Sequence, residues 1–267
     1  MSIVTLLTDF GAADYFVGAL KGAILSVNPQ AQIADITHEI PAHDIEAGAF
    51  TLLAAYDSFP SSTIHVAVVD PGVGSARRPL LVTAREHFFV GPDNGLFSYI
   101  CERASGDVRV YQLTNENFFR TPVSNTFHGR DIFAPVAGAL SKGVSPEELG
   151  EAVDDYVRLA QLAPVREPDG TWSAKVIHID RFGNIITNIT RRELACEEFA
   201  RGARLDVGGR AINSFRKFYA EEIGAAACEL FAIWGSAGFL EIAADRASAA
   251  SLLRAERGQM VRVAPLE

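Results

Sequence analysis

Residues 68–78, VVDPGVGSARR, run an apolar stretch into an aspartate, a glycine-bracketed turn and two arginines. Pro71 stiffens that turn, while Gly72 and Gly74 let the backbone approach something bulky or adopt positive φ. A guanidinium from Arg77 or Arg78 beside Asp70 would keep the carboxylate charged, a firm anchor and a poor proton acceptor. The same residues also suit an ordinary ion pair that clips a turn. Further on, NTFHGRD (125–131) sets His128 beside a glycine, just ahead of a helical pattern whose N-terminus Asp131 is placed to favour. Histidine titrates nearest neutrality, so His128 is the better general base of this set if a proton has to move.

A second acid stands in TDFG (8–11), where a strand gives way to a loop. There Asp9 can accept two ribose hydroxyls, bind a metal or cap the following helix. THEIPAHD (37–44) offers His38 and His43 with acids beside them, and with Asp9 and Asp70 they would make a metal site. The histidines lack the i, i+4 spacing of a helical pair and Pro41 interrupts them, so no metal is expected. His65, His87 and His178 fall in or at the start of strand-like runs and are assigned to packing or solvent. In the second half, IDRFGNIITNI (179–189) suits an aminated aromatic ligand: Asp180 for an ammonium, Phe182 for stacking, Asn184 for a base edge. WGSAGFLEIA adds Ser236 in a glycine-rich turn. Both stretches also read as plain hairpin turns. A Walker loop, a GxSxG elbow and a GxGxxG fingerprint are absent.

The elements that must hold these groups alternate. IVTLLT, an amphipathic stretch from Asp14 to Val27 with Phe16, Leu20, Ala23 and Val27 on one face, QIADI, a helix over about 45–57 and the strand TIHVAVVD follow βαβ grammar. Strands around PLLVTA and HFFVG and a helix opening at Asn94 continue it. This predicts an α/β N-terminal domain over 1–163, with a mostly parallel sheet flanked by helices. TLLTD and VAVVD both end in acids, which places Asp9 and Asp70 at strand carboxyl ends, where such sheets bind ligands. After the helix DIFAPVAGALSKG, a linker at 164–172 within LAPVREPDGTW precedes short glycine-punctuated strands. These predict a smaller all-β, barrel-like C-terminal domain over 173–267.

Composition narrows the partners. The 24 basic against 33 acidic residues give a net charge of -9, which excludes an electrostatic footprint for nucleic acid. The opening MSIVTLLTDF has no basic start or cleavage site and no apolar run reaches about 18 residues, so a cytoplasmic protein off the membrane is expected. Cys101, Cys196 and Cys228 are odd in number and flanked by apolar residues, which predicts buried thiols rather than a disulfide framework.

Taken together, TDFG, VVDPGVGSARR, GPDNG, NTFHGRD, DRFGNIITNI and WGSAGFLEIA come in an order and spacing by which the chain resembles the S-adenosyl-L-methionine hydroxide adenosyltransferases. These are the former DUF62 family, relatives of the fluorinases and chlorinases. The resemblance spans both domains. It implies hydrolysis of S-adenosylmethionine by water to adenosine and L-methionine, with no cofactor or metal. It also implies a catalytic Asp70, Arg77 and His128, a ribose contact at Asp9, and contacts to the amino acid and adenine portions at Asp180, Phe182, Asn184 and Ser236. Arg78 adjoins the arginine position, and Ala237 stands where the halogenases have a carboxylate-binding arginine. A homotrimer with sites between subunits is implied as well. At the halide-pocket positions of the halogenating relatives this chain carries Asp70, Val73 and Gly129, and a carboxylate there would repel a halide. The competing readings are an S-adenosylmethionine or adenosine sensor without turnover, a halogenase, and a metal-dependent phosphoesterase built on Asp9, His38, His43 and Asp70.

Overall fold

The computed structural model describes residues 2–199, 202–221 and 229–266; Cys228 lies outside them. The chain divides into two compact units, Met1–Gln161 and Leu162–Glu267. The first holds strands β1 (Ile3–Thr8), β2 (Gln32–Thr37), β3 (Ile64–Val68), β4 (Pro79–Ala84), β5 (His87–Pro92), β6 (Val108–Leu113) and β7 (Gly150–Ala152) in the order β2-β1-β3-β5-β4-β6-β7. The pairs β2–β1, β1–β3 and β3–β5 are parallel. Those between β5 and β4, β4 and β6, and β6 and β7 are antiparallel. The sheet is therefore mixed, which corrects the expectation of a mostly parallel one. The reason is local: only Arg85 and Glu86 separate β4 from β5, both at positive φ (48° and 62°), and a two-residue turn of that kind joins only antiparallel strands.

Five helices accompany the sheet: α1 (Phe16–Val27), α2 (Ile45–Ala55), α3 (Ser98–Ala104), α4 (Ala134–Ser141) and α5 (Pro146–Leu149). Strand alternation sends Val4, Leu6, Ile64, Val66 and Val68 to one face, where they pack with Leu20 and Ile24 of α1 and Val136 of α4. The helix over 16–27 forms as its periodicity requires, with Leu20, Ala23 and Ile24 buried and Phe16 and Val27 at the margin. Asp44 caps α2 by accepting the Ala47 amide at 3.0 Å. Thr5 and His65 point to the opposite face. His65 Nδ1 meets Thr5 Oγ1 at 2.7 Å and His65 Nε2 meets His87 Nδ1 at 3.1 Å, both rings buried among Tyr56, Phe59 and Phe89. The helix expected to open at Asn94 begins at Ser98 instead.

Among the described residues the second unit contains β8 (Val165–Arg166), β9 (Trp172–Ile179), β10 (Ile185–Thr190), β11 (Ala203–Val207), β12 (Arg210–Ile212), β13 (Phe215–Arg216), β14 (Leu230–Trp234), β15 (Phe239–Ala244), β16 (Met260–Pro265) and one short α-helix, α6 (Ala249–Leu253). Within the segment expected as a linker, β8 pairs with β9. The strands follow one open path, β12-β11-β16-β9-β10-β15-β14-β13, curled around a core that includes Val176, Ile185, Leu205, Leu240 and Val263. Among the described residues no pairing joins the two ends of this path, and the unit is a curled sheet. Cys101 and Cys196 are half-buried, not buried as expected. No helix among the described residues is long and apolar enough to cross a membrane.

Candidate active site

Asp70 lies two residues beyond the end of β3 and Arg77 two residues before β4, so the DPGVGSA turn folds the arginine back over the acid. Arg77 Nε donates to Asp70 Oδ1 and Oδ2 at 3.0 and 3.1 Å, and Nη2 makes a further short bond to Oδ2. The two side chains are only 5% and 8% exposed, so solvent screens this pair little. Nη2 also donates to His128 Nδ1, 2.9 Å away, and the guanidinium rests over the Phe133 ring at 5.2 Å. Acid, guanidinium and imidazole thus form one bonded chain. Arg78 goes elsewhere: it pairs with Asp93 at 2.7 Å and Asp155 at 2.9 Å, bracing the segment after β5. The adjacent arginines therefore divide their tasks.

The Arg77 contact decides the histidine's tautomer. A guanidinium can only donate, so Nδ1 holds the lone pair and neutral His128 carries its proton on Nε2. Burial first, and then the Arg77 charge, hold His128 below the usual histidine range, against the opposing pull of Asp70 and Asp131. At neutral pH the ring is uncharged.

Neighbouring loops make this geometry rigid. Gly74, at φ 78°, lies so close to the NTFHG loop that a Cβ would sit 2.1 Å from the Asn125 carbonyl oxygen. Only glycine allows the Asp70 turn and the His128 loop to dock this closely. Asn94 of GPDNG donates its side-chain amide to the Val69 carbonyl at 2.8 Å, fixing the residue next to Asp70. Phe127 packs edge-on against Phe10 and Phe16 (5.9 and 5.3 Å between centroids), tying the His128 loop to the TDFG turn. Asp131 lies in the first turn of a helical run that continues into α4, as its place in the sequence suggested. It is fully buried in a π-helical turn over Gly129–Phe133, accepting the Ser124 amide at 2.9 Å and pairing with Arg130 at 2.7 Å. Of these braces, Gly74 and Asp131 were singled out by residue type and position and Asn94 lies within GPDNG, whereas the Phe127 packing on Phe10 and Phe16 had no sequence signal of its own.

Asp9 follows β1, the parallel neighbour of β3, in a register that pairs Thr8 with Val68, so the two acids leave the same edge of the sheet. Its Oδ2 accepts the His43 amide at 2.9 Å. Among the described residues, no three His, Cys, Asp or Glu side chains are grouped to hold a metal ion, and His38 and His43 converge on no such set with Asp9 and Asp70.

In the second unit the turn joining β9 to β10 is organised by Asp180. Its Oδ1 accepts the amides of Phe182 and Asn184 at 2.9 and 2.8 Å, and its Oδ2 accepts the Asn184 side-chain amide at 2.8 Å. Gly183, at φ 82°, lets this turn lie against Ser248, where a Cβ would come within 2.0 Å of the hydroxyl. Asn184 is buried, whereas Phe182 is 78% exposed at the tip. Asp180, Phe182 and Asn184 line a cleft of about 880 Å³ with Arg216, Tyr219 and Arg246. Tyr219 donates to buried Glu241 at 2.9 Å, and burial together with that carboxylate pushes the phenol up to about 12. Ser236 is not part of this cleft. Ile185 pairs with Ile242 and Thr190 with Phe239, which puts the β14–β15 turn carrying exposed Ser236 at the other end of the ladder.

A buried ion pair beyond the end of β3 bonded to a half-buried imidazole, and a cleft of about 880 Å³ in the second unit, are the kind of equipment small-molecule enzymes carry. Residues 4–150 match the SAM hydroxide adenosyltransferase N-terminal domain and residues 174–262 the C-terminal domain of the same name. The chain belongs to the SAM hydroxide adenosyltransferase family. It is 39% identical over 268 residues to the (R)-S-adenosyl-L-methionine hydrolase of Methanocaldococcus jannaschii, covering 96% of this chain and 93% of that one. The protein of the same name from Salinispora arenicola is 36% identical, with 97% of each chain covered. Fluorinases stand further off, that of Nocardia brasiliensis at 26% identity over 98% of this chain and 96% of its own. Among solved structures, an uncharacterized conserved protein from Thermotoga maritima superposes with a TM-score of 0.88 at 33% identity, covering 98% of this chain and 99% of that one.

Proposed function

We propose that this protein hydrolyses S-adenosyl-L-methionine to adenosine and L-methionine by attack of water at ribose C5′. The observation that carries the reading is the bonded chain Asp70–Arg77–His128, found in a family whose curated relatives are named (R)-S-adenosyl-L-methionine hydrolase. The sulfonium already makes methionine a good leaving group, so the protein's task is to orient a weak nucleophile and receive its proton. Asp70 and Arg77 hold the water in line with the C5′–S bond. His128, neutral at working pH, takes the proton as the C–O bond forms. Its only lone pair, on Nδ1, faces Arg77, so the water must displace the Arg77 Nη2 contact to deliver the proton there; until then Nε2–H serves as a donor. Asp9 holds the ribose hydroxyls, Phe182 and Asn184 the adenine, and Asp180 the amino-acid end; Ser236, at the far end of the ladder, is left without that role.

The reaction as proposed uses no metal or cofactor, and excess chelator leaves it unchanged. The protein works in the cytoplasm as a homotrimer, for which light scattering reads three times the 28.8 kDa chain mass. The deciding experiment is chromatography of ligand-stripped protein incubated with S-adenosylmethionine, with and without chloride. Equal adenosine and methionine, unaffected by chloride, is the expected result. A chlorinated nucleoside would make it a halogenase, and tight binding without products a sensor.

A further inference from the structure

The loop 37–44 grips the TDFG turn. Thr8 Oγ1 lies 2.9 Å from His38 Nδ1 and accepts the Phe10 amide at 3.2 Å. The Gly11 amide donates to the His38 carbonyl at 2.7 Å, and the Ile40 amide reaches the Thr8 carbonyl at 3.4 Å. The His43 amide, on a residue at φ 66°, closes the set on Asp9 Oδ2. Four contacts thus join two short loops, one of them directly on the carboxylate.

The side-chain part of this clamp has a direction. His38 Nε2 stands 3.2 Å from Asp35 Oδ1 without hydrogen-bond alignment, and Asp35 is anchored by Lys21 at 2.6 Å. A carboxylate on that side favours the proton on Nε2, leaving Nδ1 to accept the Thr8 hydroxyl hydrogen while the Thr8 oxygen receives the Phe10 amide. The His38 side chain is 10% exposed and Thr8 fully buried, so bulk water cannot take over either contact. Asp9 is flanked by the two bonds that Thr8 directs.

We infer that His38 is a positioning residue for Asp9: through Thr8 and the 38–43 backbone it sets the carboxylate that receives the ribose hydroxyls. The inference rests on the proposed ribose role of Asp9. Its mark is dependence on the substrate's hydroxyls, because a residue acting through Asp9 has nothing to act on when they are missing.

The test compares S-adenosylmethionine with its analogue lacking the 2′ and 3′ hydroxyls. His38→Ala should raise KM for the natural substrate about tenfold, the low end of a hydrogen bond to a charged group, and leave the analogue at its wild-type value. His38→Asn, whose amide oxygen can replace Nδ1, should restore most of the loss. Equal losses on both substrates would overturn the inference and leave His38 a fold-supporting residue. If His38→Ala does not fold, Thr8→Val against Thr8→Ser carries the same comparison. If the wild type turns over no S-adenosylmethionine, the functional reading fails by itself. Calorimetry with adenosine and 2′,3′-dideoxyadenosine then decides for or against His38, and equal wild-type affinity for the two would overturn the inference with the Asp9 role.

Discussion

The Asp70–Arg77–His128 set and the Asp180–Asn184 turn use the same interaction, a carboxylate accepting N–H bonds, to opposite ends. In the first unit the carboxylate is buried and bonded to a guanidinium that itself reaches an imidazole, and three neighbouring loops close around them. In the second, the carboxylate's partners are its own turn's amides, and what the turn presents to solvent is a phenylalanine ring that is 78% exposed. Groups that change bonding during a reaction need fixed geometry, because small displacements are costly there. A stacking surface tolerates an open position, since an aromatic face binds over a range of offsets.

The sharpest way to break this contrast is His128→Ala. It should lower kcat by about 10² to 10⁴, the range for general acid–base groups, while calorimetry still finds S-adenosylmethionine bound with near wild-type affinity. An equal loss of affinity would make the histidine a binding group and dissolve the distinction. The pH profile of kcat/KM should rise through a histidine titration below 6.5, since burial and Arg77 lower it and the neutral ring is the active form. Next comes Gly74→Ala, which drives a Cβ into the Asn125 carbonyl at a φ of 78°. It should cost about tenfold to a hundredfold in kcat, together with a lower Tm, because the two loops can no longer dock.

Acid should separate the two units by sign. His65, depressed to about 3 by burial and by His87, is neutral when folded, so the unfolded chain binds the extra proton. Stability from this group is complete above about 6.5 and is lost as pH falls toward 3, by at most about 1.4 kcal/mol per pH unit. Glu241, raised chiefly by burial, works the other way: its contribution is full below its unfolded value near 4.5 and is lost as pH rises through the folded one. Hydrogen exchange between pH 7 and 4 should show β1 and β3 losing protection ahead of β10 and β15. The smallest effect belongs to Phe182→Ala, which should raise KM several-fold with kcat and Tm nearly unchanged. A kcat loss comparable to that of His128→Ala would show the exposed ring to be as geometrically demanding as the bonded set.

Much of this arrangement is legible in the residue order. Apolar alternation located most strands and the first two helices to within a few residues, because periodicity reports directly on which side of an element faces a core. The acids at the ends of β1 and β3 stood out as strand-end residues, and six short motifs carried the family resemblance across both units. The antiparallel half of the first sheet was hidden, since it turns on Arg85 and Glu86, neither a usual residue for positive φ. The choice between Arg77 and Arg78 was hidden too, because adjacent residues of one type differ only in what the fold brings near them: Asp70 and His128 for one, Asp93 and Asp155 for the other.

The sequence by itself determined the kinds of elements, the placement of Asp9 and Asp70 at strand ends, and the family, since those depend on local periodicity and on residue types in order. Tertiary structure alone decided which nitrogen of His128 carries the proton, which arginine holds Asp70, and that the His43 amide of the 37–44 loop bonds the Asp9 carboxylate. The His128 and Asp9 contacts join atoms within about 3 Å of one another from segments far apart in the chain, and Arg77 stays on Asp70 while Arg78 is drawn to distant Asp155; no local rule of sequence encodes such distances.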